Sequence, residues 1–381
     1  MSPPAASWGT AVAGLALAFL SVAAPADAQE APEPELPRVT VLSTGGTIAS
    51  RAGRESLTGE GLVAAVPELA RVARLEVEEF SRIGSSAMTP DHWLGLARRV
   101  NEIFTADPGL AGIVVTHGTD SMEETAYFLH LTVKDPRPVV VTGAMRSADA
   151  VGPDGPANLL DAVRVAAHPD AGGRGALVLM NDEIHSARDV RKLDNVRVDA
   201  FRSGEWGALG VADDDAVVFR RGLPGGHTVD TPFDVSGRES LPVVPMVADY
   251  AGSGAEEVGA WVRRGADGLV VQAFGGGRTS PAMTDAVRAA AEAGLPVVLA
   301  SRVPEGRVMP RAVGGRPMAE RGLVVAGDLP PHKARVLLML ALTRTHEARE
   351  IQAFFDRYYA PGNAVLTVAG VAGATLLARS D

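Results

Sequence analysis

Two clusters of hydroxyl and glycine residues, the second also bearing carboxylates, stand at the ends of apolar runs in this chain. In VLSTGGTIAS (Val41 to Ser50), Thr44 and Thr47 bracket the pair Gly45-Gly46. Such a stretch suits a phosphate cradle, a plain turn, or a nucleophilic alcohol held on a strand end. The second cluster is Thr116-His117-Gly118-Thr119-Asp120-Ser121-Met122-Glu123-Glu124, after another apolar run. It offers backbone N–H groups, a hydroxyl and a carboxylate in one turn, which could hold an amino acid or stabilise an oxyanion. The same residues also suit plain helix capping, with Thr119, Asp120 or Ser121 as the cap and Glu123 complementing the helix dipole.

Counting removes several chemistries. The 381 residues contain no cysteine, so disulfides, thiolate metal sites and a cysteine nucleophile are excluded. No second histidine stands at metal-ligand spacing from His117. Neither STGGTIA nor Phe274-Gly275-Gly276-Gly277-Arg278 matches a phosphate-binding glycine loop with its lysine or acidic partner. A net charge of −10 disfavours nucleic acid, whose binding rests on clustered Lys and Arg. A small-molecule partner fits better.

The elements that must position these residues follow from hydrophobic patterning. Arg38–Ser43 is expected to be the first strand, and Gly112–Thr116, Val139–Thr142 and Ala176–Met180 are short continuous apolar runs, as expected of strands buried on both faces. Pro90 opens a helix capped by Thr89, with Trp93, Leu94, Ala97, Val100, Ile103 and Phe104 on one face. Alternating strands and helices predict an α/β fold of two αβ domains, each with a largely parallel sheet flanked by helices. Ligands of such sheets sit beyond the carboxyl ends of the strands, here the loops after residues 43, 116, 142 and 180.

The expected organisation is a leader over 1–28, a spacer over 29–37, a first domain over 38–222 carrying the site, a linker over 223–245, a second domain over 246–358 and an apolar tail over 359–381. The leader rests on the apolar run Ala11 to Ala24 followed by Ala26-Asp27-Ala28, a small-residue cleavage pattern that implies export to the periplasm or medium. Leader and tail are both short for a stable membrane span.

Several ordered blocks resemble the bacterial L-asparaginase and glutaminase-asparaginase family, from about Pro37 to Tyr358. STGGTIA at 43–49 and GIVVTHGTDSMEETAYFL at 112–129 are similar to its two signatures. VTGAMR at 141–146, DGPANL at 154–159, VLMNDEIHSARDVRK at 178–192, DTPFD at 230–234, SRVPEGRV at 301–308 and HKARVLLMLALT at 332–343 follow in the family's order. The resemblance implies hydrolysis of the side-chain amide of L-asparagine, sometimes L-glutamine, through a threonine acyl-enzyme without metal or organic cofactor. It places the nucleophile on Thr47 and a triad on Thr119, Asp120 and Lys192. Ser85 falls where the substrate α-carboxylate is held, and Gly46, Ser86, Gly118 and Ala144 complete the expected substrate contacts together with Thr119 and Asp120. Taken by itself, Lys192 also suits a solvated charge in the polar run Arg188 to Asp194. A homotetramer built from dimers is implied as well.

Three departures stand out. The lid segment Arg51 to Glu60 has no tyrosine, and Leu57 is the nearest counterpart. Ser86 replaces the usual Gln or Glu, and Gly275-Gly276-Gly277-Arg278 replaces an Asn-bearing loop, with no Glu shortly after Arg307. These differences keep two alternatives open: a glutaminase-asparaginase or broader amidase, and a non-catalytic periplasmic amino-acid binding protein.

Overall fold

The computed structural model describes residues 35–223, 225–309 and 321–359. The expected leader, most of the spacer, the tail from residue 360 and the stretch after Met309 where the family's glutamate was sought lie outside the described residues. The elements in chain order are β1 (Arg38–Ser43), α1 (Gly59–Ala64), β2 (Arg74–Glu79), α2 (Pro90–Ala106), β3 (Gly112–Thr116), α3 (Met122–Thr132), β4 (Val139–Thr142), α4 (Gly155–Ala167), β5 (Ala176–Met180), β6 (Glu183–Ser186), β7 (Arg191–Lys192), β8 (Phe201–Arg202), β9 (Gly210–Ala212) and β10 (Val217–Phe219). They continue with β11 (Met246–Ala248), α5 (Glu256–Arg263), β12 (Leu269–Ala273), α6 (Pro281–Glu292), β13 (Val297–Ser301), β14 (Leu323–Val325), α7 (Pro331–Leu342) and α8 (Ala348–Tyr359).

The first sheet has the order β10-β9-β6-β5-β4-β3-β1-β2, and the second β11-β12-β13-β14. From β2 to β5 every pairing is parallel; β6, β9 and β10 extend that sheet antiparallel. The second sheet is parallel throughout. Chain order reverses between β1 and β3: β2 follows β1 on one side, and the chain then crosses to place β3 on the other. This is a topological switch point, where the loops leaving two adjacent parallel strands diverge and open a crevice.

The apolar runs are buried on both faces and alternate between two cores. Ile113, Val115, Val139, Val141, Ala176 and Val178 face one cluster. Val114, Val140, Leu177 and Leu179 face the other, together with Leu159 and Val163 of α4. The first cluster continues through α3 and α7 to Val270 and Val298 of the second sheet, so one core serves both sheets. From Leu36 onward the described residues form a single compact unit. The outer face of the second sheet packs separately on Val258 of α5 and on Met283 and Val287 of α6.

Helix α2 begins at Pro90 behind Thr89 and buries the predicted face, joined by Leu96. Trp93 binds it to α3: its indole N–H donates to Thr125 Oγ1 at 2.9 Å and its ring stacks on Phe128 with centroids 5.7 Å apart. Within the stretch 223–245, residues 228–231 are tied to the end of α3 and the residues after it. Thr231 Oγ1 donates to the Leu131 carbonyl at 2.5 Å, and the Lys134 ammonium donates to the carbonyls of Thr228 and Thr231. Among the described residues no helix is long and apolar enough to cross a membrane.

Three of the buried histidines set the main acid limit on this fold. Burial pushes His117 and His185 down to about 4 and His130 down to about 3. The unfolded chain takes up these protons near pH 6.5, whereas the folded chain resists until far lower pH. Their contribution is therefore fully present above pH 6.5 and is lost as pH falls towards 4, by about 1.4 kcal/mol per pH unit for each imidazole. Urea unfolding at stepped pH should give a midpoint that drops from pH 6.5 to 4.5. His185→Gln should reduce the slope by about one proton, and a flat profile in the parent would contradict the assignment.

Candidate active site

At the switch point the loop after β1 crosses the loop after β3. Thr44 N–H and Thr44 Oγ1 both donate to the Thr116 carbonyl, at 3.0 and 2.9 Å. Gly46 has φ +89°, and a Cβ built on it would stand 2.3 Å from Gly118 Cα. The two glycine backbones are thus in direct contact, and each is followed by a candidate threonine. Only a residue without a side chain permits this approach. Gly46→Ala adds about 1–3 kcal/mol of backbone strain before any collision. Forced apart, the loops should lose roughly 100-fold in turnover with the melting point lowered; a variant with parent kcat would contradict the close-contact argument.

Thr47 lies in a turn closed by Ala49 N–H and Ser50 N–H donating to the carbonyls of Gly46 and Thr47, both at 3.1 Å. It is half-buried, and among the described residues its hydroxyl has no hydrogen-bond partner. Its neighbour Ile48 is buried in the core that also takes Ala144. Ala144 belongs to the loop after β4, which Asp154 and Asn158 hold. The Asp154 carboxylate accepts the N–H groups of Met145 and Arg146, each at 2.8 Å, and Asn158 Nδ2 donates to the Gly143 carbonyl at 3.0 Å. This is the local work of the DGPANL block.

Thr119 is buried and Asp120 exposed. Lys192 Nζ donates to Thr119 Oγ1 at 2.8 Å and lies 3.2 Å from Asp120 Oδ1. Lys192 is therefore not a solvated charge: its side chain is 16% exposed while that of Asp120 is 65% exposed. Ser85 is buried, and its Oγ accepts the Asp120 N–H at 3.0 Å. Ser121 Oγ donates to the Ser85 carbonyl at 2.7 Å, which ties the Ser85 segment to the start of α3. Ser86 is exposed beside it. Neither Asp120 nor Ser121 caps α3 through its side chain: Ser121 occupies the N-cap position without a side-chain cap bond, and Asp120 faces Lys192. His117 is buried, and because a carbonyl only accepts, its Nδ1 carries the proton donated to the Gly118 carbonyl at 2.7 Å.

The loop after β5 behaves differently from the other strand-end loops. Asn181 and Asp182, both with positive φ, make a two-residue hairpin turn into β6. The lysine reaches the site one strand and one turn later. The lid segment is tied at several points: Ala52 N–H donates to Asp149 Oδ2 at 2.6 Å, Ala148 N–H to the Ser50 carbonyl at 3.0 Å and Leu57 N–H to the Ala49 carbonyl at 2.8 Å. Leu57 packs against the core cluster that holds Ile48 and Ala49.

Sequence reasoning did not identify the support beneath Lys192. Glu123 Oε1 accepts the Lys192 N–H at 3.2 Å, while Oε2 lies 2.9 Å from His332 Nε2 and 3.9 Å from Lys333 Nζ. Burial works to raise the Glu123 pKa, but His332, Lys333 and the Lys192 N–H together hold it below the usual carboxylate value. The acidic doublet after Ser121 was visible in the sequence, but its partners stand far away on α7.

Residues 38–224 match the family model described as "Asparaginase, N-terminal", and residues 243–355 match that of the "Glutaminase/Asparaginase C-terminal domain". The chain is 42% identical over 333 residues to L-asparaginase 2 of Escherichia coli (strain K12), covering 85% of this chain and 94% of that protein. It is 38% identical over 333 residues to the glutaminase-asparaginase of Pseudomonas fluorescens biotype A, covering 85% of this chain and 91% of that protein. A crystal structure of a probable cytoplasmic L-asparaginase from Campylobacter jejuni superimposes with a TM-score of 0.80 at 40% identity, covering 84% of this chain and all of that one.

Proposed function

The chain belongs to the asparaginase and glutaminase-asparaginase family, and from that premise we propose that it hydrolyses the side-chain amide of L-asparagine to L-aspartate and ammonia. The observation that carries the proposal is the Lys192–Thr119 hydrogen bond of 2.8 Å, beside a contact that sets Gly46 on Gly118. Thr47 Oγ attacks the carboxamide carbon, its proton passes along the Thr119–Lys192 path and is returned to the amide nitrogen, and the C–N bond breaks to release ammonia. Water then cleaves the Thr47 ester to give aspartate and the free alcohol. An alcohol needs such a base, and N–H groups beside the glycines suit a tetrahedral oxyanion. Ser85, Ser86, Gly118, Asp120 and Ala144 are assigned to the substrate, with Asp120 meeting its ammonium group.

The same proposal divides the chain into a site-bearing domain over 38–222 and a second over 246–358, joined by 223–245. It takes the exported form to start near Gln29, in the periplasm or medium, and the working assembly to be a homotetramer. The A-x-A pattern before Gln29 supports export.

A second reading, broader amide specificity, is favoured by one observation: Leu57, the nearest counterpart of the family's lid tyrosine, is partly buried and packs against a core cluster. Parallel kinetics on asparagine, glutamine and N-blocked asparagine separate the two. The first reading predicts kcat/KM at least about 100-fold higher for asparagine than for the N-blocked form, since an unpaired charged contact is costly. Equal values would favour the second.

A further inference from the structure

Lys192 sits on a strand of two residues that, among the described residues, pairs with β8 alone. A ladder that short does little to fix a side chain, yet Lys192 Nζ is held at 2.8 Å from Thr119 Oγ1. The support lies on both sides of its backbone. On one side is Glu123, in the first turn of α3, whose buried carboxylate accepts the Lys192 N–H. On the other is the turn from Ala187 to Val190, and Lys333 of α7 fills it. The Lys333 side chain has no exposure, and its ammonium donates to the carbonyls of Ala187 at 2.8 Å, Arg188 at 3.1 Å and Val190.

We propose that Glu123 and Lys333 are positioning residues for Lys192, forming a buried platform through which α7 sets the distance from the lysine to Thr119. The proposal rests on the catalytic reading of Lys192 given above. Ammonium groups are costly to bury unless every donor is used, and here all three donors are spent on one turn, the turn that delivers Lys192. The carboxylate completes the arrangement by joining Lys192 N–H to His332 and Lys333. Burial also pulls Lys333 down to about 8, so Glu123 and the three carbonyls work against a real desolvation cost.

A double-mutant cycle separates positioning from general fold support. In the full chain, Glu123→Gln should lower kcat for ammonia release by roughly 10–100-fold while KM stays within about 3-fold. In a Lys192→Met background the same change should cost nothing more. An additive loss there, or an unchanged kcat in the single variant, would overturn the proposal. Lys333→Met is expected to behave alike; should it fail to fold, Glu123→Gln alone decides. A parent that releases no ammonia would refute the catalytic reading, and the platform would then be judged by the acylation rate of Lys192 with an amine-reactive ester, mapped by mass spectrometry. A several-fold change in that rate on Glu123→Gln supports the platform, and equal rates overturn it.

Discussion

Replacing Thr47 with alanine is expected to reduce amide hydrolysis by at least about 10⁴-fold, because the step that forms the ester loses its attacking atom. The fold should barely register the change. Thr47 is half-buried, and its hydroxyl has no hydrogen-bond partner among the described residues, so the lost packing should cost less than about 1 kcal/mol. The combination is what matters: an unchanged melting point with turnover gone. Alanine at Thr44 should do the reverse, since that hydroxyl is buried against the Thr116 carbonyl and its loss is felt in stability.

Lys192→Met carries the second large effect, a fall of roughly 10²–10⁴-fold in kcat if the lysine is the base at the end of the proton path. Its contact with Asp120 cannot account for such a loss through stability. That carboxylate is 65% exposed, and exposed pairs contribute about 0–1 kcal/mol. The backbone N–H of residue 192 keeps its bond to Glu123 in the variant, so β7 should stay in place. Steady-state kinetics beside near-ultraviolet circular dichroism checks both halves. A kcat within 3-fold of the parent would remove Lys192 from the chemistry.

Much of this arrangement was legible in the sequence because its causes are local. Strands buried on both faces are apolar nearly throughout, which marks β3, β4 and β5, while the β-rich run RVTVLS marks β1. Helix α2 was found from its spacing and from Thr89-Pro90. The loops after β1 and β3 are legible because ligands of parallel sheets bind beyond the carboxyl ends of the strands; the reversal of chain order between them appears only in the fold. What escaped notice is non-local. The strands β6, β9 and β10 have four, three and three residues, too few to show a period, and the antiparallel extension begins with the hairpin that ends β5. Ser85 meets Asp120, and Glu123 meets His332 and Lys333, through folding rather than spacing. Read by spacing alone, the sequence around Lys192 is a polar surface run, and only the family resemblance singles this lysine out; the buried platform beneath it is what the fold adds.

The most direct test of the central claim is release of ammonia and aspartate from L-asparagine by the protein beginning at Gln29, assayed beside Thr47→Ala at equal concentration. Equal amounts of the two products from the parent, and none above background from the variant, are the predicted result. Parent-level ammonia release by Thr47→Ala, or saturable binding of asparagine by the parent with no product, would contradict it.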